Sequence, residues 1–353
     1  MRQPPVPPSL IAIGDRSAAR IDALLAGEAR RWEAVDAALV EPFSALRALV
    51  AAAGKRLRPA FVHWGFVAAG GDGASEMVVD AGAAVELLHT FALIHDDIID
   101  GSSRRRGRPC MHIDFADRHR HRQWRGEATR FGEGAAILIG DLAFVYADLL
   151  LRGAPEAAID VFTDLRLEVN IGQYLDLAAT AHGRPSLEQA RTICRYKSGK
   201  YTVERPLQLG AALAGRLEDL STPLTAYGIA LGEAFQLRDD LLGAFGDEAL
   251  LGKAVGEDFR EGKPTALYAI ASATATGASA ALLAKRFGRA DLTEDEVADI
   301  REVFISTGAR AAVEQMVDGL FSDAVTALDA AAIVPDAARE LMALAVFVTA
   351  RQH

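Results

Sequence analysis

Apolar residues recur every three or four positions along most of this chain, and this spacing restricts its fold more than any other feature of the sequence. Clear examples are Ile21–Leu25 and Ala45–Val50, where alanine and leucine dominate. The period is that of one face of an α-helix, and both residues have a high helix propensity, whereas alternating β-branched runs are scarce. The sequence therefore predicts an all-α protein.

We predict helices between the glycine- and proline-rich interruptions of this pattern. Their approximate bounds are 16–52, 59–70, 76–100, 131–152, 156–181, 187–214, 219–245 and 264–285, with several more before the C-terminus, and the arginine-rich stretch 118–125 is predicted to be a polar surface loop. The helix ending at Asp100 is apolar on more than one face, as expected at the centre of a large bundle. No change of composition marks a linker, so we predict a loose proline-rich tail at 1–10 and a single helical domain at 11–353.

The overall composition excludes several classes of protein. The 353 residues carry a formal net charge of −10, which argues against a general nucleic-acid-binding protein. Cys110 and Cys194 are too few for a disulfide framework, so we expect a reducing compartment, the cytoplasm. The N-terminal segment lacks the apolar core of a signal peptide, and no apolar stretch reaches the ~20 uninterrupted residues of a membrane span. We therefore expect no stable membrane insertion.

Three carboxylates end the apolar helical segment that begins near Glu86. On a helix surface Asp96 and Asp100 lie within about 40° of each other, Asp97 flanks them, and His89 falls on the same stripe two turns earlier. The helix dipole disfavours acids at a C-terminus, so a bound cation explains them better than a solvated helix end. Carboxylate oxygens suit Mg²⁺, which proteins usually bind through one or two carboxylates plus substrate phosphates.

A run of arginines, Arg104–Arg106, directly follows these acids. A guanidinium group matches phosphate oxygens in a bidentate manner. An acidic cluster beside an arginine cluster therefore predicts a site for a diphosphate held by a metal ion. The alternative is that the arginines pair with the aspartates on the surface.

A second acidic cluster lies at 235–243, where Gln236, Asp239 and Asp240 share one helix face. Basic residues accompany the two acidic clusters in four further segments, as Lys55 with Arg58, Lys197, Lys253 and Lys263. Each of these residues alone is explained by solvation. Together they match what two diphosphates held around several Mg²⁺ ions would require.

These motifs carry a family resemblance. In chain order they are GKRLRP, ELLHTFALIHDDIID, RRRGRP, YKSGK, FQLRDD and GK…DFREGKPT, between Gly54 and Thr265. Their order and spacing resemble those of the all-trans polyprenyl diphosphate synthases. The resemblance implies a single large helical bundle whose central apolar helices surround a substrate tunnel, and a homodimer. It also implies Mg-dependent head-to-tail condensation of isopentenyl diphosphate with an allylic diphosphate, releasing pyrophosphate, with three Mg²⁺ ions per active site.

The resemblance further implies a role for each matching residue. The metal ligands would be Asp96, Asp97, Asp100, Asp239 and Asp240; the isopentenyl diphosphate site would contain Lys55, Arg58, His89 and Arg106; the allylic diphosphate site would contain Arg105, Lys197, Ser198, Gln236, Lys253 and Lys263. The five aspartates, Arg105 and Lys197 would be catalytic, because they stabilise the charge that develops on the leaving pyrophosphate. The third acid of the usual second motif is replaced by Gly243. Asp247 lies one turn later, but Gly243 and Gly246 argue against a continuing helix.

Product length in this family depends on side-chain bulk just before the first acidic motif. Phe91 stands five residues before Asp96, Ala92 four before and Leu88 eight before, and DDIID carries no insertion. This arrangement resembles the geranylgeranyl diphosphate synthases, with farnesyl or longer-chain synthases as the alternative. Phe91 is equally well explained as an ordinary core residue of an apolar helix.

Two other classes of protein are alternatives. A class I terpene cyclase also binds Mg²⁺ through an acid-rich motif in a helical fold, but it has no second diphosphate for Lys55 and Arg58 to bind. A non-catalytic subunit of a heteromeric prenyl synthase would have lost its acids, whereas DDIID is intact. Gly243 leaves this second alternative open.

Overall fold

The structure, a computed structural model, describes residues 5–52, 54–105, 107–246 and 255–350. Its first half contains α1 (Pro8–Glu33), a 3₁₀ turn (Ala37–Leu39), α2 (Val40–Ala51), α3 (Leu57–Ala68), α4 (Glu76–Ile99), α5 (Met111–His121) and α6 (Ala128–Leu150). Its second half contains α7 (Glu156–His182), α8 (Leu187–Ile193), a π-helical segment (Cys194–Glu204), α9 (Arg205–Leu213), α10 (Leu217–Phe245), α11 (Glu257–Glu261), α12 (Ala266–Thr274), α13 (Gly277–Arg286), α14 (Glu294–Ser306), α15 (Ala309–Asp329) and α16 (Pro335–Thr349). In these ranges the strands are β1 (Arg104–Arg105) and β2 (Arg108–Pro109), an antiparallel pair. The all-α prediction is confirmed.

Helix α4 lies at the centre of the bundle, where it packs against α1, α3 and α6. Ser75 caps its start by accepting a hydrogen bond from the backbone N–H of Met77. Within the described ranges, α4 is the one helix long and apolar enough to cross a membrane, but 67% of its most apolar stretch is buried inside the protein. Its C-terminal acids are consequently held among other helices instead of on the surface.

Several predicted boundaries were wrong. Helix α1 begins at Pro8, inside the predicted tail, because Leu10 packs into the core with only 1% of its surface exposed. The predicted helix 16–52 is interrupted near Asp36, whose side chain accepts a hydrogen bond from the N–H of Ala38 and starts a 3₁₀ turn. Residues 118–121, predicted as loop, belong to α5, where His119 is buried. The predicted helix 264–285 is broken between α12 and α13 by the extended backbone at Ala275.

The π-helical segment replaces the middle of the continuous helix predicted for 187–214. It passes very close to two neighbouring helices: a Cβ on Gly172 of α7 would lie 2.2 Å from the backbone N of Lys197, and one on Gly232 of α10 would lie 2.5 Å from the Gly199 carbonyl oxygen. No side chain fits at either glycine, so α7 and α10 hold the segment by its backbone. π-Helical turns occur frequently at functional sites.

Candidate active site

One cavity of about 670 Å³ brings together the two acidic clusters and most of the predicted basic residues. Its wall contains the C-terminal end of α4, the middle of α7, the π-helical segment, α10 and the turns before α3 and after α11. The predicted residues that line it are Lys55, Arg58, His89, Phe91, Ala92, Asp96, Asp100, Arg105, Lys197, Ser198, Gln236, Asp239, Asp240 and Lys263. Arg106, Asp247 and Lys253 lie outside the described residues.

Two lysines face the acids of α4 across this cavity. Lys197 Nζ lies 3.2 Å from Asp96 Oδ1, and Lys263 Nζ lies 2.5 Å from Asp100 Oδ2. Gln173 of α7 also donates a hydrogen bond of 2.7 Å from Nε2 to Asp96 Oδ1. The carboxylates are therefore held at fixed positions by groups on α7, the π-helical segment and the turn after α11.

The pKa values of Asp96 and Asp100 are shifted in opposite directions. Burial opposes the ionisation of Asp96, but the charges of Lys197, Lys263 and Arg105 outweigh it and lower the pKa of this carboxyl below its usual value. Burial, together with the charge of Asp96, raises the pKa of Asp100, although Lys263 partly offsets the increase. Because ionised Asp100 is only partly compensated by Lys263, an additional cation beside it would be stabilised.

Asp97 occupies a different position from the one predicted for a metal ligand. It is buried and does not line the cavity. Arg105 donates a hydrogen bond of 2.7 Å from Nε to Asp97 Oδ1, and Nη2 of the same guanidinium group lies 2.6 Å from that oxygen. Asp97 therefore orients the guanidinium group of Arg105, which does line the cavity. The difference arises because side chains on successive helix positions point about 100° apart.

The second acidic pair lies on α10. Gln236 Nε2 donates a hydrogen bond of 2.7 Å to Asp240 Oδ1, one helical turn away. Beside this pair, a Cβ on Gly243 would lie 2.9 Å from Asp258 Oδ2. The carboxylate of Asp258, from α11, thus occupies the space next to α10 that a side chain at position 243 would enter. Asp258 stands within the motif DFREGKPT, which is the signal that could have drawn attention to it.

Asp176 of α7 is a site residue that the sequence reasoning missed. Its side chain is buried, and its Oδ2 lies 2.6 Å from Lys197 Nζ and 3.4 Å from Lys263 Nζ. This one carboxylate therefore connects the two lysines that face the acids of α4. The sequence feature that could have identified Asp176 is its spacing from Gln173, which places two polar residues on one face of α7.

An aromatic side chain on α4, Phe91, is part of the cavity wall. The ring of Phe91 lies 4.9 Å from that of Phe144 and 4.6 Å from that of His95, measured between centroids. Phe91 thus lines the cavity and also packs against the core. Leu88, in contrast, is fully buried and does not line the cavity. The position of Leu88 differs from the one predicted for a chain-length residue.

Comparison with known proteins agrees with this geometry. The family described as Polyprenyl synthetase matches residues 42–304 of the chain. The chain belongs to this family. It is accordingly a prenyltransferase of isoprenoid synthesis, as the sequence predicts.

Individual members of the polyprenyl synthetase family are similar over most of their length. A crystal structure of geranylgeranyl pyrophosphate synthase from Corynebacterium glutamicum, complexed with isoprenyl diphosphate and magnesium, is 36% identical with a TM-score of 0.91, covering 96% of this chain and 99% of that one. The short chain isoprenyl diphosphate synthase of Methanothermobacter thermautotrophicus is 33% identical over 278 residues, 76% of this chain and 79% of its own. The geranylgeranyl diphosphate synthase of Mycobacterium tuberculosis is 30% identical over 306 residues, 85% of this chain and 80% of its own.

Proposed function

We propose that this polyprenyl synthetase joins isopentenyl diphosphate head to tail (1′-4) to an allylic diphosphate, releases pyrophosphate and forms geranylgeranyl diphosphate. The observation that carries the proposal is the convergence of two acidic pairs, Asp96 with Asp100 and Asp239 with Asp240, with cationic side chains around one cavity. Such a site has enough charged groups for two diphosphates. The product is supported by the relatives that are geranylgeranyl diphosphate synthases.

The donor groups of the cavity fit Mg²⁺. The two acidic pairs on its walls offer carboxylate oxygen ligands, which Mg²⁺ prefers. Among the described residues, no three His, Cys, Asp or Glu side chains are close enough together to hold a metal ion by themselves. Because Mg²⁺ usually binds through one or two carboxylates plus substrate phosphates, we propose that three ions bind together with the allylic diphosphate. Bound Mg²⁺ would stabilise the negative charge that develops as pyrophosphate leaves.

The protein's own cations would act on the same charge. Lys197, Lys263 and Arg105 are fixed by carboxylates before any substrate binds, so they can stabilise the leaving diphosphate without reorganisation. Their positions support assigning them to the allylic diphosphate, together with Ser198 and Gln236. Phe91 and Ala92 would enclose the prenyl tail, which keeps water away from the carbocation.

A second set of basic residues would bind isopentenyl diphosphate. Lys55, Arg58 and His89 line the cavity between α3 and α4. We assign them to this substrate because the allylic group already has its own cations. No protein side chain is assigned to remove the final proton; that role would fall to the departing pyrophosphate.

The proposal is tested by incubating the purified chain with Mg²⁺, radiolabelled isopentenyl diphosphate and each of three primers: dimethylallyl, geranyl and farnesyl diphosphate. Elongation that stops at twenty carbons is expected. A shorter or longer main product would support a farnesyl or longer-chain synthase instead. A cyclised hydrocarbon would indicate a class I terpene cyclase, and no elongation with any primer would indicate a non-catalytic subunit.

We also propose that the protein is a homodimer. Two helices carry a stripe of exposed apolar residues at helical spacing: Phe131, Leu138 and Val145 on α6, and Leu167, Ile171 and Tyr174 on α7. The two helices meet at an ion pair, in which Arg166 of α7 lies 2.6 Å from Asp148 of α6. Exposed apolar surface of this kind is typical of a protein interface.

A further inference from the structure

Tyr201, in the π-helical segment, lies between two of the residues assigned to isopentenyl diphosphate. Its hydroxyl is 2.8 Å from His89 Nδ1, and the guanidinium carbon of Arg58 lies 4.2 Å from the centre of its ring. The next residue, Thr202, accepts a hydrogen bond of 2.8 Å from Arg58. The segment therefore contacts both Arg58 on α3 and His89 on α4, two residues that belong to different sequence motifs.

The side chain of Tyr201 is buried in a tightly packed segment, so it can hold a neighbouring side chain in one orientation. Only 4% of its surface is exposed, yet it lines the cavity. Its backbone belongs to the segment that α7 and α10 hold at Gly172 and Gly232. A hydroxyl fixed in this way restricts the orientation of the ring to which it is hydrogen-bonded.

We propose that Tyr201 is the positioning residue of the isopentenyl diphosphate site, acting through His89 and Arg58; this inference rests on the proposed function. In this arrangement the hydroxyl of Tyr201 donates a hydrogen bond to Nδ1 of neutral His89. The other ring nitrogen, Nε2, then carries a proton and is a donor for a phosphate oxygen. The aromatic face beneath Arg58 fixes its guanidinium group through a cation–π contact.

The variant that tests this inference is Tyr201→Phe, because it removes the hydroxyl and keeps the ring beneath Arg58. Calorimetry of isopentenyl diphosphate binding should show a dissociation constant about three- to tenfold higher than that of the parent, the effect expected for one lost hydrogen bond. The KM for the allylic primer should stay within about twofold. Calorimetry needs no turnover, so it tests Tyr201 separately from the elongation that tests the proposed function.

The matched control is Tyr227→Phe. The hydroxyl of Tyr227 is also buried and donates one hydrogen bond, 2.7 Å long, to the carbonyl oxygen of Leu341, away from the cavity. This variant should lose thermal stability without any change in isopentenyl diphosphate binding. Equal effects of the two variants on binding would overturn the inference, because they would show only a general loss of stability.

A double-mutant cycle with His89→Ala tests whether Tyr201 acts through His89. If it does, Tyr201→Phe should change the dissociation constant less than twofold once His89 is absent. Two effects that multiply in the double variant would contradict the proposed route. An unchanged dissociation constant in Tyr201→Phe alone would contradict the inference as a whole.

Discussion

Neighbouring acids at the end of α4 have different surroundings. Asp96 and Asp100 line the cavity and face Lys197 and Lys263, whereas Asp97 lies behind Arg105. A carboxylate on the cavity wall can contact a metal ion or a substrate. We propose that a buried one that is hydrogen-bonded to an arginine acts on the substrate through that arginine.

Asp100→Asn and Asp97→Asn should therefore have different kinetic effects. Loss of a cavity carboxylate at Asp100 should raise the Mg²⁺ concentration required for half-maximal activity by about tenfold, equivalent to about 1.4 kcal/mol. Asp97→Asn should leave this requirement within about twofold and raise the KM for the allylic primer, because Arg105 loses charge-assisted hydrogen bonds worth about 1.5–3 kcal/mol. Magnesium titrations of both variants measure the difference. An Mg²⁺ requirement that rises as much in Asp97→Asn as in Asp100→Asn would show that Asp97 is itself a ligand.

Phe91→Ala should lengthen the product, because removal of a ring from the cavity wall would leave more room for the prenyl tail. Chromatography of the products from a farnesyl primer measures the change. Leu88→Ala is the matched control: Leu88 is fully buried outside the cavity, so the variant should lose about 2–5 kcal/mol of stability and keep the parent's product length. Identical product profiles for Phe91→Ala and the parent would mean that Phe91 is only a core residue.

At the scale of elements, the position of the π-helical segment decides where its side chains point. Lys200 anchors it through Glu168 of α7, at 3.2 Å, and through Glu204 within the segment, at 2.8 Å. Arg195, near its start, lies 2.8 Å from Glu233 of α10, a side chain with no exposed surface. Together with the close backbone contacts at Gly172 and Gly232, these ion pairs bring Lys197 into the cavity.

Gly172→Ala should displace this segment. The new methyl group would lie 2.2 Å from the backbone N of Lys197, and backbone atoms can move less easily than a flexible side chain. We expect a loss of about 1–3 kcal/mol of stability and a higher KM for the allylic primer. Gly319→Ala is the control, because a Cβ there has no neighbour within 4 Å on the described chain; its stability should stay equal or rise by about 0.5–1 kcal/mol. Chemical denaturation measures the free energy of unfolding of both variants. Equal stabilities of Gly172→Ala and Gly319→Ala would contradict the packing argument.

At the scale of the whole molecule, the exposed apolar residues of α6 and α7 support the proposed dimer interface. Leu138 and Tyr174 are 65% and 70% exposed, and their apolar neighbours follow at helical spacing. Other exposed apolar side chains, such as Ile305 of α14, are not part of such a stripe. We propose that the helices from α1 to α16 form a single domain and that α6 and α7 join two copies of it.

Leu138→Glu should convert the proposed dimer to a monomer. A carboxylate buried in an apolar interface without a partner costs several kcal/mol. Light scattering at micromolar concentration should show half the mass of the parent, while Ile305→Glu should retain the parent's mass. A parent that is already monomeric would contradict the dimer, and an unchanged dimer in Leu138→Glu would place the interface elsewhere.

The sequence by itself determined the all-α class, the family and many of the charged residues around the cavity. Helix periodicity and the spacing of Asp96 and Asp100 are local properties, which can be read within one or two helical turns. The motifs also appear in an order that is specific to the family. Neither inference depends on how the helices are packed.

Only the tertiary structure decided how these residues are held. The hydrogen bond between His89 and Tyr201 joins positions 112 residues apart, and the contact of Asp258 beside Gly243 depends on the packing of α11 against α10. Likewise, Asp176 joins the site only because α7 lies beside the π-helical segment. These contacts come from the packing of distant helices, to which local spacing gives no guide. The sequence therefore identified many of the charged groups, and packing determined which of them meet.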